Sequence, residues 1–347
     1  MNGQQEPYIG GRGRNHLCRV WIGLAALLGG LIAITGQAET IRVRARNESQ
    51  IQRAIDRLPS TGGKVVILAD APVNIRKSIV IARDNVTLEG ESENVTLRLA
   101  TNANAPVIIV GDDAPWPRIT HQNIHVRFLV IDGNRYQQTD ELNPKNPELR
   151  NNGISLRRVA SCSVQKVRIF GCRSGGLVTE RGCRRITVRD LESWNNEFDG
   201  VAGYDTEDSL FTGLQVYSNQ VAGLSFDLDF ANNQINNSVV RGNGSVGIFM
   251  RQSHHNLFSS VQVRDSAQHG IFLAHADDDT ATPAKENLFT GCVISGNGGA
   301  GIRVNDWTCT SNVICSVQFV NNAGGAISLA VPGLIATCEN PPPEAKQ

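Results

Sequence analysis

Through the second half of the chain, apolar residues come in pairs separated by one residue, and a glycine opens each pair. Ile154 and Leu156 follow Gly153, Leu224 and Phe226 follow Gly223, Ile248 and Met250 follow Gly247, and Ile271 and Leu273 follow Gly270. The opening glycines, Gly153, Gly176, Gly200, Gly223, Gly247, Gly270, Gly301 and Gly325, lie 23, 24, 23, 24, 23, 31 and 24 residues apart. Spacing of two inside each unit marks strands, and a unit period in the twenties marks a solenoid whose turns bury their apolar faces against one another. No helical stripe intervenes, so helical and leucine-rich repeats are disfavoured. The pattern predicts an all-β chain: a single right-handed parallel β-helix from about Ile41 to Asn340.

A second apolar run about ten residues further on, at Ile186 and Val188, Leu210 and Leu214, Leu257 and Val261, and Leu288 and Val293, predicts a second inward strand in each turn. Asn196, Asn219, Asn243, Asn297 and Asn321 stand four residues before their glycines, with Ser266 in the interrupted turn. Asparagine tolerates a left-handed turn, and stacked amides can bond along the axis, so a ladder is expected. Cys292, Cys315 and Cys338, 23 and 23 residues apart, read as a stacked buried row in the slot of Leu214 and Val261. Upstream, Ile51, Ala54, Ile55 and Leu58 share one helical face after Asn47 or Ser49, which predicts a short helix capping the open end. Two excursions break the less regular early turns. One, Asp112 to Thr120, carries Trp116 and Arg118; the other, Asn134 to Asn152, carries Arg135, Tyr136, Asp140, Glu141, Lys145 and Arg150. Insertions on a solenoid tend to gather on its binding face.

Composition narrows the partners. The 33 basic and 33 acidic residues cancel, which argues against nucleic acid. Arginine outnumbers lysine 27 to 6, which suits planar pairing with carboxylates. Arg12, Arg14, His16 and Arg19 precede an apolar run from Val20 to Ile34, and Gly36 and Ala38 follow. This describes a secretory signal over residues 1–38, so a periplasmic or extracellular protein with no membrane segment once processed is expected, as a monomer. The mature domain then covers residues 39–340, with a disordered tail over 341–347. No Cys or His spacing suits a structural metal; Asp277, Asp278 and Asp279 beside His275 offer carboxylates to calcium.

Alternation also says which side chains leave the core. The fourth residue after each glycine gives the outward column Arg157, Glu180, Tyr204, Asp227, Arg251, Ala274 and Asn305. The second residue gives Ser155, Val178, Ala202, Ser225, Phe249, Phe272 and Arg303. With turns about 4.8 Å apart, these columns make a groove floor suited to an extended polysaccharide. Glu180, Tyr204, Asp205, Asp227 and Arg251 are the candidate catalytic set: a cation for a sugar carboxylate, a base for the proton beside it, and a phenol as acid. Phe249 and Phe272, for stacking on sugar rings, and Asp199 and Lys145 are candidate substrate contacts.

At Ile131, Asp132, Gly133, Asn134 and Arg135, and again from Ile186 to Asp190 and Asn195 to Gly200, the wording resembles secreted alginate C5-epimerases and the wider pectate-lyase-like superfamily. The resemblance spans about Ile41 to Asn340 and implies a β-helix acting on acidic polysaccharide. Where the epimerases carry Tyr, Gly, an apolar residue and Asp-Pro-His, this chain has Gly175, Gly176, Leu177, Val178, Thr179 and Glu180. Their catalytic set is therefore not inherited there, nor is their Arg-His pair at Val221 and Ala222. Asp199 and Asp205 fall in an acid-rich turn like the family's, and Lys145 falls in the insertion where the family has a functional lysine. Four readings stay open: a lyase or epimerase with a different residue set, a glycan-binding module, a purely structural surface β-helix, and an inverting glycosidase using Glu180 and Asp227, about 9 to 10 Å apart.

Overall fold

The computed structural model describes residues 39–276 and 281–338. The secretory signal, Asp277 to Asp279 and the tail expected from residue 341 lie outside them. The chain coils through about 12 turns as a right-handed β-solenoid. Parallel strands stack in three sheets of 20, 10 and 6 strands. The ten-stranded sheet runs from Ile79–Ile81 through Ile154–Arg157, Leu177–Glu180, Val201–Tyr204, Leu224–Asp227 and Ile248–Arg251 to Ile327–Leu329. Its register reproduces the expected columns. Val178 lies beside Ala202, Ala202 beside Ser225, Ser225 beside Phe249, and Tyr204 beside Asp227.

The five strands from Ile154–Arg157 to Ile248–Arg251 are each followed by a residue with left-handed backbone: Arg158, Arg181, Asp205, Leu228 and Gln252, with φ between 46° and 66°. That conformation turns the chain sharply into the short six-stranded sheet, and polar side chains accept it more readily than branched ones. The last strand residue is thus left at a corner, facing outward. The helix α1 (Glu48–Arg57) forms as expected, with Asn47 and Gln50 in a reciprocal capping box. It seats Ile51, Ala54 and Ile55 on the first turn of the solenoid.

The asparagine ladder is present. Asn196 Nδ2 donates to Asn219 Oδ1 at 2.9 Å, and Asn219 Nδ2 to Asn243 Oδ1 at 3.2 Å. At the carboxyl end the acceptor is Asn322 rather than Asn321: Asn297 Nδ2 donates to Asn322 Oδ1 at 2.8 Å, and Asn321 instead takes a left-handed φ of 52°. Ser266 breaks the row, because its side chain is too short to reach across a turn. Asn243 Nδ2 and Ser266 Oγ are both buried without a partner. Gly247 leaves space beside Ser266 as Gly223 does beside Asn243. A Ser266→Asn variant is therefore expected to stabilise the fold by about 1 kcal/mol, read as a higher midpoint in thermal or urea unfolding.

A second ladder, Asn233, Asn256, Asn287 and Asn312, runs through the next corner. It sets the phase of the strands after it. Ile186, Val188, Leu214 and Val261 of the second run are buried as expected, and the other members are corrected. Phe211, Phe258, Phe289 and Ile294 are fully buried, whereas Leu210, Leu257, Leu288 and Val293 are half-buried on the outer side. Both residues of each pair are apolar, so hydrophobicity alone does not separate them; for Leu257 and Leu288 the buried asparagine just before does, by fixing which residue points inward, and buried Ser209 and Cys292 take its place before Leu210 and Val293. The cysteine row is also corrected. The turn after Asn287 is 25 residues long, so Cys315 pairs in register with Thr290 and leaves the slot of Cys292. Cys292 is buried as a free thiol. Cys315 and Cys338, with Cα atoms 5.2 Å apart, form a disulfide between the last two turns.

Candidate functional site

Both insertions fold over the ten-stranded sheet. The first lays the carbonyls of Asp112, Ala114 and Pro115 on the guanidinium of Arg157, at 3.2, 2.7 and 3.2 Å. The second forms an antiparallel hairpin, Leu142–Asn143 with Asn146–Arg150. Asn146 Nδ2 donates to the Asp113 carbonyl at 2.8 Å and ties the two insertions together. Between the hairpin of the second insertion and the sheet lies a cleft of about 790 Å³. Glu180, Tyr204, Asp205, Asp227, Arg251 and Asp199 all line it, with Arg150 and Arg181 on the insertion side.

The column residues are not equivalent. Arg157 is completely buried, and its Nε donates to Glu180 Oε1 at 2.8 Å. Burial pushes the Glu180 carboxyl above its ordinary range, and Arg157 offsets part of that shift. Asp227, also buried, accepts at Oδ2 from Arg251 Nε at 2.9 Å and Nη2 at 2.6 Å. Arg181 pairs with Glu148 of the hairpin and lies over the exposed Trp116 ring at 3.8 Å. Asp205 sits on the corner with its side chain exposed, while its carbonyl accepts from Gly182 and Cys183.

Asp199 stands apart because no arginine contacts its carboxyl. It comes from the corner before Val201–Tyr204, and Oδ1 accepts from the Ala222 backbone N–H at 2.9 Å. Only 8% of the residue is exposed, and burial raises its pKa to about 6. Ser225 stands near both Asp199 and Tyr204 and lowers the pKa of each, against the larger effect of burial. Burial, with the nearby Asp199 carboxyl, holds the Tyr204 hydroxyl above the usual range, so it stays protonated at neutral pH. Tyr204 and Asp199 thus place in one cleft a phenol that stays protonated and a carboxyl that titrates near neutrality, with Ser225 close to both.

Three sequence-predicted contacts fall outside this cleft. Lys145 is at the hairpin turn, where Asn143 Oδ1 accepts from its N–H at 2.9 Å, and it lines a separate hollow with Arg76 and Lys77. Phe249 and Phe272 stack face to face, with centroids 5.9 Å apart, and His269 covers Phe272 at 5.8 Å. Stacking along the axis is what in-register neighbours do, and it uses the ring faces a sugar needs. Ser225 and Arg157 were in the outward columns without a role, and Arg150 was only one of several charges on an insertion. The signal that singles out Ser225 is its place in the turn between those of Tyr204 and Arg251, two strand positions before Asp227 on the same face.

The family model for the right handed beta helix region matches residues 127–282. No curated protein matches in sequence. Among solved structures, the A-module of an Azotobacter vinelandii mannuronan C-5 epimerase superposes with a TM-score of 0.65 at 17% identity, covering 85% of this chain and 92% of that one. The tailspike of E. coli bacteriophage HK620, in complex with a pentasaccharide, gives 0.64 at 16% identity over 84% of this chain and 57% of its own. Pectate lyase Pel9A gives 0.58 at 11% identity, over 83% and 79%. The fold is a right-handed parallel β-helix.

Proposed function

We propose that the chain binds an acidic polysaccharide in the cleft and moves the proton on the sugar carbon beside the carboxylate, the step common to β-elimination and C5 epimerisation. The observation that carries this reading is the placement of Tyr204 and Asp199 in one cleft bordered by Arg150, Arg181 and Arg251. In this scheme arginine meets the sugar carboxylate and stabilises the charge that develops when the neighbouring proton leaves. Asp199, ionised above about pH 6, takes that proton. Tyr204 gives its own proton, either to the departing glycosidic oxygen or to the opposite face of the same carbon. Proton exchange with water in the cleft then returns Asp199 to its carboxylate and Tyr204 to its phenol, so the site resets. The same fold occurs in proteins named for mannuronan epimerisation and pectate cleavage and in one holding a pentasaccharide, which supports a polysaccharide ligand. The signal read over residues 1–38 places the protein where such polymers occur.

Glycan binding without turnover is the second reading, favoured by the ion pairs that occupy Glu180 and Asp227. A panel of acidic and neutral polysaccharides separates the two, with calcium added and removed. Unsaturated ends absorbing in the ultraviolet report elimination, and deuterium uptake from solvent reports epimerisation. Tyr204→Phe is expected to lower turnover by about 10²-fold with an unchanged melting temperature. Binding with no product of either kind in any pairing would establish the module reading instead.

A further inference from the structure

His254 ends the short strand Ser253–His254, and His255 follows it with a φ of 57°. In a continuing strand, neighbouring side chains leave on opposite faces. The left-handed backbone at His255 instead brings its ring back to its neighbour: the ring planes stand 82° apart, with centroids 5.1 Å apart. The two Nδ1 atoms meet at 2.8 Å. Each outer nitrogen faces a carboxylate. His255 Nε2 is 2.8 Å from Glu286 Oε2, and His254 Nε2 is 3.7 Å from Asp229 Oδ1.

A neutral imidazole that donates its Nε2 hydrogen to a carboxylate presents a lone pair at Nδ1. Glu286 holds the His255 ring in this way, while Asp229 lies 3.7 Å from His254 Nε2. Between the rings one Nδ1 donates a hydrogen to the other, and a metal ion that displaces that proton would meet both nitrogens. We propose that His254 and His255 chelate a divalent transition-metal ion of tetragonal preference, copper(II) or nickel(II). The separation of the nitrogens selects the ion. With bonds of about 2.0 to 2.1 Å, nitrogens 2.8 Å apart subtend an angle of about 86°, which is a cis position in a square or octahedral field. Tetrahedral zinc would hold them about 3.3 Å apart. Among the described residues no third His, Cys, Asp or Glu joins the group, so water completes the coordination. The pair is accessible, His255 more so than His254. Asp229 also lines the cleft, which puts the bound charge at the cleft margin.

Copper(II) titrated into the metal-free full-length protein, followed by electron paramagnetic resonance at one equivalent, tests the assignment. The expected spectrum is tetragonal with two nitrogen ligands. His255→Asn keeps a residue that accepts the left-handed backbone; it is expected to weaken copper binding at least about 10-fold and leave one nitrogen. Glu286→Gln is expected to weaken binding several-fold with both nitrogens retained, since it loosens the ring without removing a ligand. Melting curves establish that each variant is folded. No stoichiometric uptake, a wild-type spectrum without two nitrogens, or an unchanged affinity in His255→Asn would each overturn the proposal.

Discussion

Asp199→Asn is expected to lose at least about 10²-fold in turnover and yet to melt at a higher temperature than the parent protein at pH 7. The two effects share one cause. A carboxyl buried at 8% exposure, with a pKa raised to about 6, is one the folded state would rather keep protonated. In the unfolded chain the same group titrates near 3.9. Below about pH 4 both states are protonated and the group has no effect on stability. Between about pH 4 and 6 the folded state binds the extra proton, so stability falls as pH rises. Above about pH 6 the folded protein carries the whole cost, about 1 to 3 kcal/mol. Asparagine removes that cost while its Oδ1 still accepts the Ala222 N–H. The gain in melting temperature should therefore be present at pH 7 and absent at pH 4. Turnover by the parent should rise through about pH 6 as Asp199 ionises. Unchanged turnover in the variant would take Asp199 out of the chemistry, and a lower melting temperature at pH 7 would show the carboxylate to be a stabilising group.

Much of the fold was legible because it repeats. Strand residues at Ser155, Val178, Ala202, Ser225, Phe249, Phe272 and Arg303 are register neighbours along one sheet, as alternation required. Legibility ended where two apolar residues stood side by side. Leu257 and Phe258 differ in fate only because buried Asn256 comes first, its Nδ2 held by Phe230, Ser253 and Asn287. The cysteines failed for a related reason, since a turn of changed length shifts everything after it.

The site was legible as a neighbourhood and not as a set of roles. Alternation put Glu180, Tyr204, Asp227 and Arg251 on one face, and the cleft holds all four. It could not say that Arg157 would be buried against Glu180, because that depends on the first insertion supplying three carbonyls. Nor could it separate Asp199 from the other acids. What distinguishes Asp199 is burial beside a backbone N–H and a serine, with no arginine in contact, and this arises from tertiary packing.

Leu224→Asp should abolish folding altogether. Leu224 is fully buried, and its register neighbours Val201 and Ile248 are buried too, so no water or cation can reach a carboxylate there. The substitution removes a leucine's transfer free energy, about 2 to 3 kcal/mol. It also forces the protein either to bury an unpaired charge or to protonate it, at a further cost of several kcal/mol. The sum rivals the whole stability of an ordinary domain, about 5 to 15 kcal/mol. In a solenoid each turn is held only by the turns on either side, so a defect at Leu224 also uncouples the coils before it from those after it. Leu228, four residues on, is the control: it is 53% exposed and has a left-handed φ of 50°, which aspartate accepts better than leucine. Leu228→Asp should give the parent's β-rich circular dichroism spectrum and a cooperative melt, and Leu224→Asp neither. A cooperative melt in Leu224→Asp would mean that the inward face at this turn is not packed as described.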